Sequence, residues 1–193
     1  MMKVVKANQA GLKQAVKILK AGGVIVFPTD TAYGLGGIFN SRRVQARILK
    51  IKQREDPKFT LVASGLSQVE KFFKLNQTEK KLAKKYWPGP LSIAVSSRFA
   101  VRVSSNAVAC RLCRLVGYPL IATSANIAGQ PSAYDAKQVI RQFKDKKNQP
   151  ELMIGMGRLK KKKTSMIIEV KKGQLLVLRK GPIKLQFKSY FNK

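Results

Sequence analysis

The 193-residue chain contains no histidine and only 9 acidic residues, against 39 lysines and arginines. The absence of histidine excludes Ser-His and Cys-His nucleophile systems, His-ligated zinc and imidazole acid-base catalysis. Cys110 and Cys113 are too few for a disulfide scaffold, and their helical surroundings favour buried thiols over a redox pair. No apolar run approaches the roughly 20 residues that cross a bilayer, and residues 1–6 lead into an amphipathic pattern and not into the apolar core typical of a signal peptide. These absences predict a cytoplasmic protein without a membrane partner.

The formal net charge of +30 is the dominant feature of the composition. Such a surface attracts phosphates, whether on nucleic acid, nucleotides or lipids, although a lysine-rich genome produces the same excess. The hydrophobic fraction of 45% is sufficient for a folded core. Because no linker-like stretch interrupts the chain, we expect a single domain over residues 1–193, with a core of residues 11–183 and a basic C-terminal end.

Apolar periodicity predicts alternating helices and strands. Helices are expected to begin near Leu12, Ser41, Ser67, Thr78, Asn106 and Asp135. Strands are expected at residues 24–27, 60–63, 91–95, 100–103, 119–122, 165–170 and 174–178. Ser67 and Glu70 match a capping box. This order predicts an α/β or α+β fold with a mixed sheet, and the basic run at residues 158–163 is the segment expected to be most mobile.

Three polar segments are candidates for ligand binding. Residues 28–37 follow a buried strand and are rich in Thr and Gly, which suits either a ligand loop or a simple turn. If the backbone is extended, Lys52 and Arg54 would share one side of it and suit a polyphosphate, but local evidence favours a solvated helix end. Ser124 and Asn126, after another strand, fit either a ligand site or a strand-ending turn.

Arg102 lies within an apolar strand and therefore faces solvent, which is the usual outcome, or holds a buried carboxylate. The stretch at residues 155–165 lacks the Walker A spacing, and no G-x-G-x-x-G motif follows a strand. Any nucleotide would be bound without a standard phosphate loop.

Taken in order, several motifs together resemble the YrdC-like family of threonylcarbamoyl-AMP synthases. The matching stretches are Pro-Thr-Asp-Thr-Ala-Tyr-Gly-Leu at 28–35, Lys-Gln-Arg at 52–54, Trp-Pro-Gly-Pro-Leu-Ser at 87–92, Val-Arg-Val at 101–103, Thr-Ser-Ala-Asn-Ile-Ala-Gly at 123–129, Thr-Ser-Met-Ile-Ile-Glu at 164–169 and Leu-Arg-Lys-Gly at 178–181. The resemblance spans residues 11–183. It implies an open twisted mixed sheet flanked by helices, with a basic concave face.

The resemblance also implies a reaction. L-threonine, bicarbonate or CO2, and ATP are joined into threonylcarbamoyl-AMP with release of pyrophosphate, for N6-threonylcarbamoyladenosine modification of tRNA. It places Thr31, Tyr33, Arg102 and Ser165 at the threonine, with Arg102 on the carboxylate. Transferase proteins that accept the intermediate are the implied partners, together with tRNA or other RNA.

The same resemblance assigns the nucleotide site. Lys52 and Arg54 match the family's Lys-x-Arg pair and are the implied catalytic residues, while Ser124 and Asn126 match its Ser-x-Asn pair. Arg179 would also face the nucleotide. ATP would enter with Mg2+, which no protein side chain is expected to ligate. Lysine, arginine and Mg2+ suffice for such a step, because it needs positioning and charge neutralisation more than proton transfer.

This chain departs from the family pattern in places. Residues 92–100 form a shortened stretch, and Ser104 begins a Ser-Ser pair where Pro-Asp is preferred. Met166, Glu169 and Glu55 replace Thr, Asp and Pro. These departures are compatible with reduced activity. The net charge of +30 and the shortened stretch favour one alternative, a non-catalytic protein that binds tRNA or pre-ribosomal RNA on the same fold. A less favoured alternative is a carbamoyl-transfer domain of the hydrogenase-maturation type.

Overall fold

The computed structural model describes residues 2–171 and 173–185, and within them the chain forms six helices and eleven strands. The helices are α1 (Gln9–Lys20), α2 (Arg42–Lys52), α3 (Leu66–Phe72), α4 (Gln77–Tyr86), α5 (Ala107–Val116) and α6 (Ala136–Phe143). The strands are β1 (Lys3–Lys6), β2 (Ile25–Pro28), β3 (Tyr33–Gly36), β4 (Phe59–Ala63), β5 (Leu91–Ala94), β6 (Phe99–Val103), β7 (Leu120–Ile121), β8 (Thr123–Ser124), β9 (Leu152–Gly155), β10 (Met166–Lys171) and β11 (Gln174–Arg179). The basic C-terminal end at residues 186–193 lies outside the described residues, as does Lys172.

The strands form two mixed sheets. One has the order β1-β9-β2-β3-β8, and the other has the order β11-β10-β5-β6-β4-β7. Each contains parallel and antiparallel pairs; β4, for example, is parallel to β6 and antiparallel to β7. The mixed α/β class predicted from the sequence is therefore confirmed, with its strands divided between two sheets. No helix in the described part of the chain is long and apolar enough to cross a membrane.

Local signals set several helix ends as predicted. The Ser41 side chain accepts a hydrogen bond from the Val44 amide at the start of α2. The Asp135 carboxylate likewise accepts from the Gln138 amide at the start of α6. These side chains satisfy main-chain donors that have no partner within the helix.

The predicted capping box at Ser67 and Glu70 is wrong. Helix α3 begins at Leu66, and no side chain caps it. Leu66 packs against the apolar core, so the helix already includes Ser67, whose hydroxyl is then too far inside the helix to cap it. A true capping box begins the next helix, where Asn76 and Glu79 exchange side-chain-to-backbone hydrogen bonds of 2.8 and 2.9 Å.

Part of the segment interpreted as a ligand loop is strand β3, which pairs with β2 and β8. Its last residue, Gly36, lies so close to β7 that an added Cβ atom would clash with the main-chain oxygen of Ile121. Gly36 is therefore required for the two sheets to approach each other. The isolated bridge between Ile38 and Leu120 joins the sheets at the same place.

Three apolar clusters fill the core. The largest lies around Tyr33 and the strands on either side of it, and a second is formed largely by α1 and α5 against β2 and β9. A third cluster joins α4 to β5 and β10. Residues 158–163, expected to be the most mobile, lie outside helix and strand.

Candidate active site

A cavity of about 660 Å³ is lined by strands of both sheets, within the size range of small-molecule sites. β3 and β8 contribute from one sheet, and β4, β5, β6, β10 and β11 contribute from the other. The cavity thus lies where the two sheets meet.

The wall of this cavity is strongly basic. Its cationic residues are Arg54, Lys58, Arg98, Arg102, Lys162 and Arg179. Asp56 is the single acidic residue of the wall within the described ranges. Because positive charges in a concave, partly desolvated surface reinforce one another, the site suits an anionic ligand.

Arg102 holds a buried carboxylate, which resolves the two interpretations left open by its sequence. Its Nη2 donates to Asp30 Oδ1 at 2.9 Å, and the side chains of Arg102 and Asp30 are only 4% and 3% exposed. Ser104 Oγ donates to the same oxygen at 2.8 Å. Arg102 Nε and Asp30 Oδ2 are buried with no hydrogen-bond partner among the residues described. Asp30 therefore orients the guanidinium that lines the cavity.

Arg179 is fixed by the predicted site residue Ser165. Arg179 Nε donates to the Ser165 carbonyl oxygen and its Nη2 to Ser165 Oγ, both at 2.9 Å. Ser165 Oγ also lies 3.0 Å from Ser92 Oγ. Burial, and secondarily the charge of Arg102, lowers the pKa of Arg179. Both Ser165 and Arg179 line the cavity.

Lys52 contacts protein oxygens and does not belong to the cavity wall. Its Nζ donates to the carbonyl oxygens of Ser124 and Asn126 at 2.6 and 2.7 Å and to Asn126 Oδ1 at 3.4 Å. Burial, and then the neighbouring Arg54, lowers the pKa of Lys52 to about 8. Ser124 lines the cavity, whereas the Asn126 amide donates to the carbonyl oxygens of Ile127 and Gln130. Lys52 therefore fastens the segment that presents Ser124.

The predicted extended backbone at residues 52–54 is wrong. Lys52 is the last residue of α2, and Gln53 adopts a left-handed conformation with φ 52° and ψ 50°. The side chains of Lys52 and Arg54 consequently reach different partners. Arg54 Nη2 donates to the Lys58 carbonyl oxygen at 2.7 Å, and its guanidinium carbon lies 5.2 Å from the centre of the Phe59 ring. Burial lowers the pKa of Arg54, which lines the cavity.

Thr31 and Tyr33 also line the cavity. Thr31 Oγ1 lies 3.2 Å from Thr29 Oγ1. The fully buried Tyr33 donates its hydroxyl to the Gly157 carbonyl oxygen at 2.8 Å and accepts from the Met156 amide at 2.9 Å. Burial raises the pKa of Tyr33. Its hydroxyl thus anchors the chain that follows β9.

Three cationic wall residues, Lys58, Arg98 and Lys162, were not among the sequence predictions. Arg98 belongs to the shortened stretch at residues 92–100, in the turn between β5 and β6, and donates to Gln45 Oε1 at 2.6 Å. No motif in the sequence marks Arg98 as a site residue; its one local feature is a position directly before strand β6. Among residues 2–171 and 173–185, no group of three or more Cys, Asp or Glu side chains could hold a metal ion.

Comparison with known proteins supports the resemblance seen in the motifs. The model of the Sua5, YciO and YrdC family, described as "Telomere recombination", matches residues 17–181. A threonylcarbamoyl-AMP synthase from Chromobacterium violaceum is 33% identical over 180 residues, which cover 85% of this chain and 91% of the relative.

Solved structures give the same assignment. E. coli YciO superposes with a TM-score of 0.84 at 26% identity, covering 96% of this chain and 98% of that one. P. abyssi Sua5, crystallised with L-threonine, superposes with a TM-score of 0.82 at 28% identity, covering 93% of this chain. This chain spans 57% of that Sua5. The chain therefore belongs to the Sua5/YciO/YrdC family.

Proposed function

We propose that this chain is a threonylcarbamoyl-AMP synthase, which forms threonylcarbamoyl-AMP and pyrophosphate from L-threonine, bicarbonate or CO2, and ATP. The observation that carries the proposal is the cavity between the sheets, where Arg102, held by the buried Asp30, belongs to a wall with six basic residues and one acid, Asp56. The name of the Chromobacterium violaceum relative and the threonine complex of P. abyssi Sua5 point to the same reaction.

Threonine binds at Arg102, with Thr31, Tyr33 and Ser165 around it. A guanidinium is a planar donor that matches a carboxylate with two parallel hydrogen bonds, and Asp30 holds the Arg102 guanidinium in one orientation. Because both side chains are almost completely buried, their orientation is set before the substrate arrives.

ATP binds along the part of the wall that contains Arg54, Ser124 and Arg179. Lys52 and Asn126 act on the nucleotide through the residue 124–126 segment, since the Lys52 ammonium is occupied by the oxygens of that segment. Of the proposed nucleotide residues, Arg54 retains an unpartnered, buried Nε within the described structure. That donor would gain a partner if the guanidinium turned towards a phosphate oxygen in the cavity.

The chemistry requires no histidine. The threonine amine captures CO2 to give a carbamate, a carbamate oxygen forms a bond to the α-phosphorus, and the bond to the leaving pyrophosphate breaks. Positioning and neutralisation of negative charge suffice for this step, and fixed guanidinium groups supply both. Mg2+ would enter with the ATP and would be held by phosphate oxygens and water, with no protein side chain among its expected ligands. The ion would add neutralising charge.

The wider role proposed for the product is modification of tRNA in the cytoplasm, through proteins that transfer the threonylcarbamoyl group. The net charge of +30 favours RNA binding as a second property of the same chain. A purely RNA-binding protein would not need a desolvated arginine-carboxylate pair in a small-molecule cavity. We therefore propose the enzyme as the primary function.

The test is pyrophosphate release from ATP by the purified chain. Release should require threonine and bicarbonate together. Arg102→Lys keeps the charge but loses the planar fork, so the KM for threonine should rise by about tenfold or more. Lys144→Ala, an exposed lysine outside the cavity, is the matched control and should behave like wild type. Absence of release with all three substrates, or release independent of threonine, would contradict the proposal.

A further inference from the structure

Four consecutive lysines, residues 160–163, form an exposed segment next to the cavity, called here the lysine segment. Within the described ranges, residues 160–164 make no hydrogen bond or ion pair. A cluster of four like charges without acidic neighbours is destabilising by itself. An anion that binds between these ammonium groups would relieve the repulsion.

The chain is fastened on both sides of the lysine segment. Before it, the Leu159 amide donates to the Tyr134 carbonyl oxygen at 2.7 Å, and the Tyr33 hydroxyl holds the preceding turn. After it, Ser165 is buried and bound by Arg179, and the Met166 amide donates to the Pro90 carbonyl oxygen at 2.8 Å. The lysines are consequently presented at a defined place by an otherwise unpaired stretch.

Lys162 links this segment to the site, because it lines the same cavity as Arg54 and Arg179. Thr164, two residues later, lines it as well. The lysine segment therefore borders the cavity that contains the proposed nucleotide site.

The charge of the wall exceeds what threonine needs. Six basic residues against one acid give 6 − 1 = +5, and the buried Asp30 paired with Arg102 lowers this to 5 − 1 = +4. Threonine is a zwitterion and brings no net charge, so a ligand with several linked negative charges would complement the remaining positive charge. Lysine ammonium groups bind phosphate as point charges without a fixed geometry, which suits a flexible phosphate chain.

We propose that Lys162, assisted by the other lysines of the segment, binds a chain of two or three linked phosphates at the cavity rim. The shared chemistry is that of the ATP triphosphate and of the pyrophosphate that leaves. This assignment rests on the proposed function and extends it by giving the lysine segment a role in holding the phosphates that are not transferred. RNA is the less favoured ligand, because Lys162 lines a small-molecule cavity and not only the outer surface.

Titration calorimetry of the full chain with sodium tripolyphosphate, pyrophosphate and AMP tests the proposal. Lys162→Ala should weaken binding of at least one of the two linked phosphates by about fivefold, with AMP affinity changed less than about twofold. Loss for tripolyphosphate alone places Lys162 at the terminal phosphate, and loss for both places it on the leaving group. Lys162→Arg, which keeps the charge, should retain binding.

A triple variant, K160A/K161A/K163A, should also weaken tripolyphosphate binding and reduce its salt dependence. The matched control, K144A/K146A/K147A, removes three exposed charges away from the cavity and should leave affinity unchanged. Equal losses in the control, equal losses for AMP, unchanged binding in Lys162→Ala, or a loss seen only in a parallel titration with an RNA oligonucleotide would each overturn the proposal. Because tripolyphosphate binding needs no reaction, wild type that binds it but releases no pyrophosphate would refute only the proposed enzyme.

Discussion

Removal of Asp30 tests the central geometry of the site. Asp30→Ala leaves the Arg102 guanidinium buried with no carboxylate, since no other acidic group contacts it in the described structure. Breaking a buried ion pair by removing one partner costs about 3–5 kcal/mol. In a domain of this size, that loss lowers the Tm by roughly 6–20 °C. Threonine binding should fall with it, because Arg102 loses its fixed orientation.

A double variant separates the interaction energy of Asp30 with Arg102 from the effects of losing each side chain alone. Replacing Asp30 and Arg102 together, as D30A/R102M, removes both charges and leaves no uncompensated ion. Its free energy of unfolding should therefore exceed that expected from adding the two single losses, by about 2 kcal/mol or more. The measurement is urea denaturation of wild type, both single variants and the double variant at one pH.

Additive losses would refute this reasoning, because they would mean that the two side chains do not interact energetically. A loss below about 1 kcal/mol in Asp30→Ala would do the same, since it matches an exposed ion pair and not a buried one. Ser104→Ala serves as a graded comparison: it removes a hydrogen bond to Asp30 Oδ1 but no charge. It should cost about 1–3 kcal/mol because it leaves that carboxylate one donor short.

Two further predictions concern Lys52 and Gly36. The pKa of Lys52 is lowered to about 8 from its ordinary 10.5. Nucleotide binding should therefore fall as pH rises through about 8, because the ammonium that holds the Ser124 carbonyl oxygen then loses a proton. Lys52→Arg should abolish this pH dependence of binding. Between about pH 8 and 10.5, Lys52 is protonated in the unfolded chain but not in the folded one, so its contribution to the free energy of unfolding should rise with pH. Denaturation of wild type and Lys52→Met at several pH values measures this contribution. Gly36→Ala should destabilise the fold by about 1–3 kcal/mol or more, because its Cβ meets main-chain atoms. The control Gly155→Ala meets nothing closer than 3.6 Å, and an equal Tm for both variants would contradict this account.

Local patterns were sufficient for most elements of this fold. The helix signals at Ser41 and Asp135 depend only on residues three positions apart, and the structure confirms both. Strand β3 could not be recognised from local patterns. Its glycines are typical of a loop, but in the structure Gly36 allows close contact with Ile121, which is 85 positions away in the sequence. Propensity carries no information about such an approach.

In the site, too, some features were predictable from the sequence and others depended on distant contacts. The motif resemblance selected Arg102, Arg179, Ser165, Thr31 and Tyr33, and all of them line one cavity. Local reasoning favoured a solvent-facing Arg102, which is wrong, because it could not identify a carboxylate partner 72 residues earlier in the chain. Lys52 was expected beside Arg54, but the left-handed residue between them sends the two side chains to different oxygens. Backbone conformation at one residue decided that outcome.

The hydrogen bonds that build the cavity join distant parts of the chain. Asp30 and Arg102 are 72 positions apart, and Tyr33 and Gly157 are 124 apart. Contacts of this kind form late in folding, because a long loop must close before they stabilise anything. During synthesis, a nascent chain that has not reached Arg179 lacks part of the cavity wall. Ligand binding should therefore begin only after β11, which contains Arg179, has been synthesised and has paired, so that a bound ligand marks a chain whose cavity wall has formed.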